Sequence, residues 1–134
     1  MCMERRAEST EQRVGQRPKF RFEDLEIWKL SVEVAEMLFD IAIELDAKKL
    51  YRFAEQIRGA GISMPNNIAE GSGSTSKKEF IRFLNMARRS TFENANMVII
   101  FARRKLISQR RKDIILQKLD TLCRKITNFQ KSLK

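Results

Sequence analysis

The chain has 134 residues, the length of one domain, and no histidine, which removes the usual general base, the Ser-His-Asp triad and the commonest transition-metal ligand. Apolar residues make up 43% and charged residues 33%, a globular composition, and two prolines with five glycines are too few turn-formers for an all-β fold. The net charge of +10 is unevenly placed: residues 1–19 hold five Lys/Arg and three Asp/Glu, residues 20–70 six and ten, residues 71–134 sixteen and four. An acidic middle is thus followed by a strongly basic second half, a surface that attracts polyanions. Cys2 and Cys123 suffice for neither a structural zinc site nor a redox motif, so no metal and no cofactor is expected. With no signal peptide and no apolar run near the ~20 residues of a membrane span, the expected compartment is the cytoplasm, away from membranes.

Residues 1–19 lack periodicity and read as a mobile tail, leaving 20–134 as the folded domain. The first helix opens near Glu23 or Asp24. One apolar row runs Leu25, Trp28, Val32, Ala35, Phe39, Ala42, and a second runs Ile27, Leu30, Val34, Leu38, Ile41, Leu45. Only a narrow stripe from Glu26 through Glu33 to Glu44 stays polar. A single bundle buries about 100° of a helix, so this one is either central or covered a second time by another subunit.

The second helix is expected at about 47–70, with Leu50, Ala54, Ile57, Gly61, Met64 and Ile68 inward and a kink or break near 61–65, where Pro65 clashes with the Gly61 carbonyl. Residues 71–75 form a connector. Ser76 and Glu79 fit a reciprocal capping box at the start of the third helix. That helix points Phe80, Phe83, Leu84, Ala87, Thr91, Val98 and Phe101 inward. Its stretch 97–102 is apolar all round, again suggesting burial on two sides. Ser108 caps a fourth helix with core positions Ile115, Leu119, Leu122, Ile126, Phe129 and Leu133. Cys123, beside that set, reads as a buried inert thiol. Four helices on short connections make an antiparallel up-down four-helix bundle the natural fold, all-α throughout.

The best candidates for function are the cations of the last two helices: Arg82, Arg89, Arg103, Arg104, Arg110, Arg111, Lys112, Lys118 and Lys125. On one continuous surface they would take nucleic-acid phosphates without reading sequence, RNA being expected ahead of DNA. Pairing with the acidic stripe of a neighbouring subunit is the competing reading. The Gly71–Ser76 loop with Lys77 and Lys78 lacks the ending of a nucleotide-binding loop and follows a helix. Carboxylates such as Glu70 and Glu79 have no partner set that would make an enzyme. Few exposed aromatics are in view for base stacking.

The blocks Phe22–Lys29, Gln56–Gly71 and Lys78–Leu84 with Ala87 and Arg88 resemble, in order and spacing, the family first noticed in intervening sequences of bacterial 23S ribosomal RNA genes. The resemblance covers residues 20–108 and implies a homo-oligomer, a ring of five. The family is also similar to the basic accessory protein of diversity-generating retroelements, so a reverse transcriptase or a ribonucleoprotein is an alternative partner. The signature residues Arg58, Pro65, Asn67, Glu70 and Gly71 read as structural: Asn67 satisfies backbone freed by Pro65, and Glu70 pairs with Arg82 or Arg88. The chain departs from the family pattern at 59–62, Arg89, Ala95 and Arg104, the last replacing a glycine expected to end the third helix.

Overall fold

A computed structural model describes residues 17–134, and within them all regular structure is helical. A short 3-10 turn at Arg21–Asp24 precedes four helices: α1 (Glu26–Ala47), α2 (Tyr51–Ser72), α3 (Lys77–Arg103) and α4 (Gln109–Ser132). Residues 1–16 of the expected tail lie outside the described residues. Arg17 and Lys19 pair with Glu23 and Asp24 of the turn. The turn also corrects the expected opening of the first helix. Leu25 is extended, and α1 begins only after it.

The inner row of α1 forms the floor of the core: Val34, Leu38, Ile41 and Leu45 are buried against Ala54, Ile57, Met64 and Ile68 of α2. Phe80, Leu84, Val98 and Phe101 of α3 and Ile115, Leu119, Leu122 and Ile126 of α4 complete it. Phe80 meets Phe129 edge-on at 5.5 Å. The row from Leu25 to Ala42 is only partly covered: Trp28 and Phe39 are half-buried, and Ile43 beside it is exposed.

The expected break near 61–65 does not occur, and α2 runs as one helix through Pro65. Pro65 is buried, and the inward row on both sides of it packs against α1 and α3, which offsets the lost backbone bond. Side chains also hold carbonyls on both sides of the proline's turn. Asn67 Nδ2 donates to the Ser63 carbonyl at 2.8 Å, and Asn94 Nδ2 of α3 donates to the Ala60 carbonyl at 2.8 Å. Asn67 therefore serves Ser63, not the Gly61 carbonyl that the proline leaves without its donor.

The capping box at Ser76 is only half made. Ser76 Oγ accepts from the Glu79 amide, but the Glu79 carboxylate turns to Arg82, and the Ser76 amide donates to Ser74 Oγ. Glu70 likewise has no ion pair among the described residues. Arg82 is held by Glu79 at 2.5 Å, and Arg88 donates to Thr127 Oγ1. Cys123 is half-buried in a shallow groove with Arg88, Arg124 and Thr127 rather than inside the core.

Three ion pairs fasten α4 to α1: Glu26 with Lys125, Glu33 with Lys118 at 2.7 Å, and Glu44 with Arg111 at 2.6 Å. Hydrogen bonds from Lys125 and Arg111 hold the Glu26 and Glu44 carboxyls below their ordinary value. Glu23, bonded by Arg17 and the Phe20 amide, is lowered to about 2. A carboxyl with a depressed folded pKa stabilises the fold above its unfolded value, and that contribution fades as pH falls through the folded one. Melting temperature should therefore fall more steeply below about pH 4.5 in the wild type than in a Glu26→Gln/Glu44→Gln variant. Parallel acid slopes in a melting series would remove these pairs from the acid response.

Candidate nucleic-acid interface

The α1–α4 pairs change what the basic second half presents. Lys118, Lys125 and Arg111 are neutralised within the chain by the acidic stripe of α1, which had been a candidate partner for a neighbouring subunit. Arg82 pairs with Glu79, and Lys112 lies 3.2 Å from Asp113. Arg89, Arg103, Arg104 and Arg110 form no ion pair among the described residues and are exposed. The nine predicted cations thus divide into three neutralised along the α1–α4 seam, two paired locally (Arg82 and Lys112), and a free group of four, most of it where α3 gives way to α4.

That free group has company the sequence reading missed. The rings of Phe53 and Phe101 lie 5.7 Å apart, and Glu44 reaches Arg111, so the α1–α2 and α3–α4 loops sit at the same end of the molecule. Lys48 and Lys49 of the first loop and Arg52 in the first turn of α2 are exposed and make no ion pair among the described residues. The acids nearby in sequence are mostly engaged: Asp46 holds Arg58 at 2.5 Å, and Glu44 holds Arg111. Glu55 lines the α1–α2 groove with Arg58.

Both loops are built the same way. After α1, the Leu50 amide donates to the Leu45 carbonyl and the Lys49 amide to the Asp46 carbonyl. After α3, Leu106 donates to Phe101 and Lys105 to Ala102. Each is a Schellman cap with a leucine folded back on the core, and each needs a left-handed residue, normally glycine. Here lysine fills both places, Lys49 at φ 63° and Lys105 at φ 61°. The missing glycine at Arg104 is thereby explained: the cap forms one residue later. The matching sequence signal is the repeated basic-Lys-Leu that closes each apolar run.

Of the signature residues, Arg58, Pro65, Asn67 and Gly71 serve the packing of α2, while Glu70 is exposed and makes no side-chain bond among the described residues; they do not join this end as a group. Arg58 ties α2 to the end of α1 through Asp46. Gly71 sits where α2 and α3 touch, because a β-carbon there would lie 2.7 Å from Phe83 Cβ. Between these points runs a polar seam: Ser63 Oγ meets Ser90 Oγ at 2.9 Å, and the fully buried Asn94 donates to the Ala60 and Ser90 carbonyls. Asn94 Oδ1 has no partner among the described residues. Its i, i+3 spacing from Thr91 marks an inward position, but asparagine at a core position was not read as core.

No cluster of three or more metal-ligating side chains occurs among the described residues, and no helix there is long and apolar enough to cross a membrane. The model of the 23S rRNA-intervening sequence protein family matches residues 23–128. A crystal structure of a protein of unknown function from the S23 ribosomal protein family of Bacteroides thetaiotaomicron shares the fold, with TM-score 0.74 and 22% identity. The match covers 78% of this chain and 98% of that one. A search of curated proteins returns no match.

Proposed function

Because the chain belongs to the 23S rRNA-intervening sequence protein family, we propose that it is a non-catalytic, self-assembling helical protein that binds the phosphate backbone of nucleic acid, RNA in preference to DNA, as an accessory or scaffold factor. The observation that carries this reading is electrostatic. Sixteen basic residues face four acidic ones over 71–134, and after α1 has neutralised its share, exposed unpaired cations remain, with Arg103, Arg104, Lys105 and Arg110 at the loop end beside Lys48, Lys49 and Arg52. Each phosphate neutralised releases counterions, so such a surface gains affinity without reading bases. Neither the family description nor that of the structural neighbour names an enzymatic activity.

The same proposal includes an up-down antiparallel bundle closed into a ring of five. Rising numbers on α1 (26, 33, 44) meet falling numbers on α4 (125, 118, 111), which is the register of opposed helices. Two apolar faces lie on different helices: Phe39, Ile43 and Ile62 line a groove between α1 and α2, while Phe92, Ile99 and Ile100 are exposed on α3. Unlike faces that meet head to tail close into a ring when the rotation between neighbours is a whole fraction of a turn, one fifth for a ring of five. A ring repeats the basic end and multiplies weak contacts.

The α1–α2 groove also favours a second reading, a module that docks a protein such as a reverse transcriptase. The test is an anisotropy titration of a structured RNA and an equal-length DNA duplex across a salt series, with particle mass from light scattering on the same samples. Submicromolar binding that weakens steeply with salt, on a particle larger than the 15.7 kDa chain, is expected. Absence of binding even at low salt would leave the protein-docking reading in its place.

A further inference from the structure

We propose that the loop end is a site for single-stranded nucleic acid, with phosphates on Lys49, Arg52, Lys105 and Arg110 and an unpaired base stacked on Tyr51; the proposal rests on the nucleic-acid reading above and names its place and strand form. The argument begins from charges that local structure does not favour. Lys48, Arg103 and Arg104 follow or close helix C-termini, where the helix dipole welcomes a cation, and they need no further explanation. The other four are different. Lys49 and Lys105 occupy left-handed positions at φ 63° and 61°, which L-residues avoid and which the same caps fill best with glycine. Arg52 and Arg110 stand in the first turns of α2 and α4, at the positive end of each dipole, and neither turn holds an acidic residue.

Four placements at one end of the molecule therefore run against local preference, and all four add positive charge. Ion pairing does not account for them, since none of the four has an ion-pair partner among the described residues. Departures from local rules that share one chemical sense mark a place selected for a ligand of the opposite sign. A polyanion spanning both loops fits, because the Phe53–Phe101 contact and the Glu44–Arg111 pair hold the loops together.

Tyr51 decides the strand form. It follows the first loop directly, between Lys49 and Arg52, and is 58% exposed. Its neighbour Phe53 lies against Phe101, whereas Tyr51 has no aromatic partner among the described residues. An exposed ring flanked by cations is the arrangement that stacks unpaired bases; a duplex offers only its backbone to such a surface. The expectation of few exposed aromatics is thus corrected: Phe20, Tyr51 and Phe92 are all exposed, and Tyr51 is the one set among the loop-end cations.

The test is a Lys49→Gly/Lys105→Gly variant beside Tyr51→Ala, each measured in the full chain on a poly-uridine single strand and on an RNA duplex of equal length. Glycine suits the left-handed caps, so the double variant should melt several degrees higher while binding the single strand about tenfold more weakly. Its log affinity against log salt should flatten by roughly 1.4, the share of two phosphates on a single strand. Tyr51→Ala should lose about five- to tenfold on the single strand with the salt slope unchanged, and nothing on the duplex. A double variant that binds as wild type, with the wild-type slope, overturns the loop-end site while leaving the nucleic-acid reading standing. Wild-type preference for the duplex overturns the single-strand assignment, and a wild type that binds neither probe overturns both proposals.

Discussion

Asn94→Asp should destabilise the fold by about 3 kcal/mol or more at neutral pH. Asn94 is fully buried, and its Nδ2 donates to two carbonyls, those of Ala60 in α2 and Ser90 in its own helix, both at 2.8 Å. Carbonyl oxygens only accept, so the amide orientation follows from its neighbours. Aspartate keeps the shape and replaces the donor with a second acceptor. Oxygens would face oxygens at hydrogen-bond distance, and a charge would be buried with no cation beside it. Protonation restores one donor, so the new carboxyl's folded pKa lies above its unfolded one. The sign follows: the penalty is greatest above the folded pKa and shrinks as pH falls toward the unfolded value near 3.9. Wild type should move the opposite way, losing its Glu26 and Glu44 pairs in acid. Urea melts at about pH 7 and pH 4 would show the gap between the two proteins closing. Asn94→Leu serves as the control. It removes the donor and the unpartnered Oδ1 together, and should cost far less than the aspartate. Equal stability of Asn94→Asp and wild type would show that the cross-helix bond contributes nothing.

The contrast between Asn94 and its neighbours shows how far the sequence could be read. Three-four spacing located the inner rows of all four helices because apolar side chains must leave water together. Ser76 and Ser108 marked two helix starts because each hydroxyl accepts an otherwise free amide, of Glu79 and Arg111 respectively. Position 94 has the same spacing but a polar residue, and only a carbonyl from another helix makes that tolerable. Pro65 misled for a related reason. Its local cost is fixed by covalent geometry, while the compensation comes from α1 and α3 packing against both halves of α2.

The candidate interface was legible as charge and not as place. Composition located a basic second half. It could not reveal that α1 would neutralise Lys118, Lys125 and Arg111, because residues 67 or more apart in the chain meet only through the fold. Nor could it bring Lys48, Lys49 and Arg52 beside the α3–α4 loop. The left-handed lysines were hidden by a sound rule, since glycine is the residue ordinarily sought at a helix end.

Two Gly→Ala changes on the same helix should separate by about 3 kcal/mol, although their chemistry is identical. At Gly59 an added β-carbon meets nothing within 4 Å. Only backbone entropy then matters, and alanine should stabilise the chain by up to ~1 kcal/mol. At Gly71 the same carbon would lie 2.7 Å from Phe83 Cβ and 2.9 Å from Phe80 Cδ1. Phe80 is buried and edge-on to Phe129, so its ring has little room to turn. Phe83 Cβ is fixed to the backbone of α3 and cannot turn at all. The helices must part where the α2–α3 connection holds them closest, and overpacking of this kind outweighs the gain in helix propensity, leaving a net loss of about 2 kcal/mol. Denaturant midpoints of the two variants, with unchanged slopes, would measure the separation. Shortening Phe83 to alanine should not rescue Gly71→Ala, because the β-carbon that blocks it remains. A rescue would show instead that the ring, and not the approach of the two backbones, is what glycine accommodates there.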